Sequence, residues 1–137
     1  AYFGEKDFQQ LQIVKKLVAK NQLPVTIIGC PIYREANQLA MSSRNERLTS
    51  EERNQASIIY QTLTLAKNTF QSENIESANQ LVQKAFEKHP LFDLEYFVIA
   101  DEETLLPCIV KEKNKNYRAF IAVFVNNIRL IDTISLN

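Results

Sequence analysis

Ser42 and Ser43 put two hydroxyls beside the guanidinium of Arg44 within one short segment, Met41-Ser42-Ser43-Arg44-Asn45. Neighbouring hydroxyl and backbone N–H donors next to a planar cationic fork match the oxygens of a polyphosphate. Gly4-Glu5-Lys6-Asp7 offers a second group of the same kind, a glycine and a lysine at the opening of a helix. A helix N-terminus adds unpaired N–H groups and a partial positive charge. Together the two segments describe a clamp that closes on an anion from both sides. Ser-Ser-Arg is also common in surface turns, and a lysine at a helix start is usually only solvated, so the pattern suggests phosphate without fixing it.

These residues need elements to hold them. Phe8, Leu11, Val14, Leu17 and Val18 recur at helical spacing, with Lys15, Lys16 and Lys20 opposite, which predicts an amphipathic helix over residues 7–21. Asp7 can cap it, and Gln10 three residues later can complete a capping box. Val25-Thr26-Ile27-Ile28-Gly29-Cys30 is a near-continuous apolar run closed by Pro31, the pattern of a strand covered on both faces. Helix, Pro24 and strand read as the last crossover of a Rossmann-like α/β domain, whose ligands sit beyond the carboxyl ends of the strands. That puts residues 31–35 beside a ligand. Residues 36–48 read as a loop ending in the Ser-Ser-Arg segment, and the domain boundary divides residues 1–46 from 47–137.

Thr49-Ser50-Glu51-Glu52 has the form of a capping box. The helix it opens buries Ala56, Ile59, Tyr60, Leu63, Ala66 and Phe70. A second helix, over about residues 74–88, buries Ile75, Ala78, Leu81, Val82, Ala85 and Phe86 and stops at Pro90. His89 reads as a helix-end residue near unpaired carbonyls. Residues 94–100, 117–125 and 128–134 are rich in branched and aromatic residues and predict strands. Asp101-Glu102-Glu103-Thr104 with Pro107 makes a turn or a short helix, and residues 111–116 form a solvated connector. Asn126-Asn127 joins the last two strands, because asparagine tolerates the positive φ of a tight hairpin. Residues 49–137 thus read as a small α+β domain, two helices on an antiparallel sheet.

The 137 residues include 16 basic and 16 acidic side chains. No overall field draws the chain to nucleic acid or to an anionic membrane. No apolar run is long enough to span a bilayer. Cys30 and Cys108 have no CxxC spacing, and with the single His89 they form no metal-binding pattern. A reduced, cytoplasmic setting is the simplest reading.

Phe3-Gly4-Glu5-Lys6-Asp7-Phe8-Gln9-Gln10-Leu11, Gly29-Cys30-Pro31, Arg34-Glu35, Leu39-Ala40-Met41-Ser42-Ser43-Arg44-Asn45 and Arg129-Leu130-Ile131-Asp132 resemble, in order and spacing, the pantoate–β-alanine ligase family. The departures are local. Asn37-Gln38 replaces an Asp-Gly-like loop, Tyr33 replaces a smaller aliphatic residue, and Asn126 replaces Gly.

The resemblance implies a nucleotidyltransferase-type ligase that uses ATP with Mg²⁺ to convert pantoate to pantoyl adenylate and pyrophosphate. The amine of β-alanine then attacks, giving pantothenate and AMP. It implies ATP contacts at Gly4, Glu5, Lys6, Asp7, Tyr33 (through its backbone, to adenine), Met41, Ser42, Ser43 and Arg44, and a pantoate contact at Gln10. Arg129 and Asp132 are expected to form an internal ion pair. The family carries a His-x-Gly-His motif that is absent here, so the chain is expected to match the C-terminal half, to be inactive alone, and to belong to a homodimer. The alternative is a non-catalytic lid or dimerisation module. The strand at 25–30 is expected to lack its parallel neighbours and to favour association through its edge.

Overall fold

The computed structural model describes residues 1–137. A short strand β1 (Tyr2–Gly4) passes through a 3-10 turn at Glu5–Asp7 into helix α1 (Phe8–Lys20), and strand β2 (Ile28–Cys30) returns parallel to β1 with Phe3 opposite Gly29. This is one βαβ unit. Gly29 permits its close packing, since a Cβ there would lie 2.9 Å from Leu11 Cδ2. The strand is shorter than expected, and it does have a parallel neighbour in β1. It is not covered on both faces, for Val25 and Ile28 are exposed. Nor is the stripe of α1 buried throughout. Phe8 and Leu11 are buried, whereas Leu17 is exposed, because only the first turns of α1 meet the rest of the chain. Asp7 stands at the N-cap position without a side-chain capping bond, so the box with Gln10 does not form.

The capping box at Thr49 does form. Thr49 Oγ1 accepts from Glu52 N at 3.1 Å, and Glu52 Oε1 accepts from Thr49 N at 2.8 Å. The expected single helix is split at Ala56 into α2 (Ser50–Gln55) and α3 (Ser57–Ser72). Helix α4 (Ile75–Glu87) begins at Asn74, whose side chain accepts from Ser77 N. Tyr60 is only half-buried, and the other residues expected inside α3 are buried. After α4, His89 Nδ1 accepts from the amides of Leu91 and Phe92, so it serves N–H groups and not carbonyls.

Strands β3 (Asp93–Asp101), β4 (Tyr117–Val125) and β5 (Ile128–Ser135) form an antiparallel sheet in that order. Alternation along β4 explains its unbroken apolar sequence. Ala119, Ile121, Val123 and Val125 join the 22-residue core beneath α3 and α4. Phe120 points the other way and meets Phe8 and Leu11 of α1. The ring of Phe8 lies 6.1 Å from that of Phe120, and the Arg118 guanidinium sits 4.1 Å from its centre. The βαβ unit therefore closes the second face of the sheet.

The turn at Asn126 has φ 54°, as its hairpin requires. Asp101 Oδ1 accepts from the amides of Glu103 and Thr104, making a turn and not a short helix. The connector at 111–116 is not merely solvated, since Lys111 donates to the Phe70 carbonyl at the end of α3. No helix is long and apolar enough to cross a membrane.

Candidate phosphate-binding site

Between β2 and α2 the backbone doubles back as a hairpin. Met41 N donates to Tyr33 O at 2.9 Å and Glu35 N to Leu39 O at 2.8 Å, with Gln38 at φ 74° near the tip. Arg34 fastens this hairpin to the sheet. Its guanidinium donates to both carboxylate oxygens of Asp132, at 2.7 and 2.9 Å, and to Gln38 O at 3.0 Å, and lies 4.2 Å from the centre of the Tyr60 ring. Glu35 receives Arg53 Nε at 2.7 Å and Asn45 Nδ2. Those bonds, that from Arg53 above all, hold its carboxyl below the usual glutamate range. Asn45 is fully buried and also donates to Ala40 O at 3.0 Å.

These anchors deliver the Ser-Ser-Arg segment. Ser42 Oγ accepts from Arg44 N at 3.2 Å, capping a 3-10 turn over Ser43–Arg47, and Arg44 Nη1 donates to Arg129 O at 3.1 Å. Lys6 approaches from the 3-10 turn before α1, with Nζ 3.4 Å from Met41 O. Burial lowers its pKa, Asp7 and Asp132 pull it upward, and Arg44 and Arg34 push it down further. Lys6, Asp7, Ser42, Ser43 and Arg44 line one cleft of about 270 Å³ together with Leu39, Ala40, Asn45 and residues 129–131 of β5. Three cationic residues, Lys6, Arg44 and Arg129, and two serines against the single carboxylate of Asp7 suit the oxygens of a phosphate chain.

The remaining candidates lie outside that cleft. Gln10 lines an adjoining cleft of about 110 Å³, which shares Lys6 and Asp7 with the first. Gly4 ends β1 opposite Cys30, and the Glu5 side chain lies against Gly29. Met41 contributes its carbonyl to Lys6 while its side chain is largely exposed. The Tyr33 side chain is 75% exposed, and its carbonyl is taken by Met41 N.

Arg129 and Asp132 do not pair with each other. Arg129 Nε donates to Glu95 Oε2 at 2.6 Å and Asp132 holds Arg34. Residues three apart on a strand face opposite sides, so an internal pair is geometrically barred. That parity was the one signal in the sequence that could have excluded it. Asn45, Arg34 and Asp132 are the structural members of the site that side-chain chemistry alone does not reveal. No group of three or more His, Cys, Asp and Glu side chains is placed to hold a metal ion.

Comparison with known proteins places this arrangement of a βαβ unit and a helix-covered antiparallel sheet in a protein family. The pantoate-beta-alanine ligase profile matches residues 1–135, and the chain belongs to that family. It is 63% identical over 136 residues to pantothenate synthetase of Flavobacterium psychrophilum, which covers 99% of this chain and 48% of that protein. The crystal structure of pantothenate synthetase from Thermus thermophilus superposes with a TM-score of 0.88 at 35% identity, covering 99% of this chain and 49% of that one. The Francisella tularensis ligase, solved with beta-gamma ATP and beta-alanine, matches with a TM-score of 0.63 at 30% identity, over 98% of this chain and 42% of that one. The chain thus spans about half the length of the relatives it matches.

Proposed function

We propose that this chain supplies the phosphate-binding side of an ATP-dependent pantoate–β-alanine ligase. The observation that carries this reading is the convergence of Lys6 with Ser42, Ser43 and Arg44 on one cleft. In the proposed reaction the carboxylate of pantoate attacks the α-phosphorus of ATP, forming pantoyl adenylate and releasing pyrophosphate. The amine of β-alanine then attacks the acyl carbon, forming the amide and releasing AMP. Negative charge grows on the phosphorus centre and on the departing pyrophosphate in the first step. Lys6, Arg44 and the two serine hydroxyls stabilise it, and Arg44 and Ser42 need little rearrangement because Arg44 Nη1 already donates to Arg129 O and Ser42 Oγ accepts from Arg44 N. Gln10 orients pantoate from the adjoining cleft.

Mg²⁺ bound to the triphosphate would neutralise further charge there, and it would arrive with the nucleotide, since no protein cluster is built for it. The βαβ unit serves as the last crossover of a Rossmann-like nucleotidyltransferase domain, with the boundary near residues 46 and 47. Gly4, Glu5, Asp7, Met41 and the backbone of Tyr33 complete the ATP contacts. The chain alone does not turn over, and the whole ligase acts as a homodimer.

The lid reading is favoured by one observation and fits within this function. The segment that carries Arg44 is tied to β5 twice, at Arg129 O and through Arg34–Asp132. Movement of residues 47–137 would carry the Ser-Ser-Arg side of the clamp with it. Calorimetric titration with MgATP tests the proposal. Arg44→Ala and Lys6→Ala should each weaken binding by tenfold or more, as expected for loss of a charged hydrogen bond of about 1.5–3 kcal/mol. Unchanged affinity in both variants would sink it.

A further inference from the structure

We infer that Arg34 is a positioning residue of the phosphate cleft: by saturating the Asp132 carboxylate, it leaves the Lys6 ammonium free to face a ligand. The consequence for binding rests on the phosphate reading above, whereas the geometry stands without it.

Asp132 is 4% exposed. Its carboxylate accepts two bonds from Arg34 and one from its neighbour's amide, Thr133 N at 2.7 Å. Arg34 is its ion-pair partner. A buried carboxylate stripped of its counter-ion is strongly unfavourable and recruits whatever cation can reach it. Lys6 lines the same 110 Å³ cleft as Asp132 and is the only cation among the residues that line it. Its ammonium holds one long hydrogen bond, 3.4 Å to Met41 O, on a flexible four-carbon stem. Arg34 therefore keeps apart two groups that would otherwise meet. The same guanidinium secures the hairpin through Gln38 O and packs on Tyr60 of α3, so the arrangement is rigid from three sides. Arginine suits this task better than lysine, because its planar fork covers both carboxylate oxygens at once.

The test is a double-mutant cycle read at Lys6 by side-chain NMR titration of the chain without ligand. The charged groups facing Lys6 are Asp7, Asp132, Arg44 and Arg34. A purely coulombic field makes Asp132→Asn shift the Lys6 midpoint equally with or without Arg34. Capture makes that shift clearly larger in the Arg34→Gln background, which is the expected result; equal shifts in the two backgrounds overturn the inference. If Arg34→Gln does not fold, Arg34→Met, which keeps the length of the stem and removes the charge, takes its place in the cycle. For MgATP, Arg34→Gln should bind about tenfold more weakly and regain part of that loss when Asp132→Asn is added. A loss that Asp132→Asn does not relieve also overturns it. If the unaltered chain fails to bind MgATP, the phosphate reading falls, and the ligand-free cycle at Lys6 still decides the role of Arg34.

Discussion

Two residues with positive φ, Gln38 and Asn126, have opposite consequences. Gln38 holds φ 74°, a conformation that costs a residue with a Cβ about 1 kcal/mol or more. Its side chain makes no hydrogen bond that would offset the strain. Gln38→Gly should therefore raise stability by about 0.5–1 kcal/mol in urea unfolding, and a decrease would contradict the strain. Asn126 also has positive φ, at 54°, but its Nδ2 donates to Glu52 Oε2 at 2.6 Å. Asparagine there links the hairpin to the capping box, so glycine at that position is no gain. The residues that meet at the cleft, Lys6 and Ser42–Arg44, could be singled out at this scale because their types suggest their chemistry. The support beneath them could not, because Arg34 and Asp132 are separated by 98 positions and neither is unusual alone. Side-chain type names a ligand-facing group; only the fold names its partner.

At the scale of elements, sequence periodicity located helices and strands well where both partners of a packed face are present. The stripes of α3 and α4 and the alternation of β4 are buried against one another, and the capping box fixed the start of α2. Replacing Thr49 by Ala should cost about 1 kcal/mol, the ordinary value of a lost N-cap, measurable as a lower midpoint in urea. No change would mean that Glu52 is held mainly by Asn126. Where expectation failed, the reason was cover. The apolar stripe of α1 and the run at 25–30 were read as buried, but amphipathicity says which face is apolar and not what lies against it. Leu17, Val25 and Ile28 remain exposed while Phe8 and Leu11 find the sheet. The split at Ala56 was equally illegible, because no proline or glycine marks it.

For the whole molecule, the hairpin of residues 33–41 joins the βαβ unit to the helix-and-sheet unit, and its ion pairs give folding a pH dependence. Glu35 titrates below its ordinary value of 4.5 in the folded chain. Its contribution is therefore complete above that value and is lost as the pH falls through the lower folded one. Thermal melting from pH 7 to pH 3 should steepen in that window, and Glu35→Gln should flatten the dependence; parallel curves for the two proteins would contradict this. The most direct test of the central claim is titration with MgATP followed at the backbone amides. The account predicts shifts at Gly4–Asp7 and Met41–Arg44 together, reaching half-saturation at one concentration. Shifts at only one of the two segments, or at neither, would contradict a single cleft closed by both.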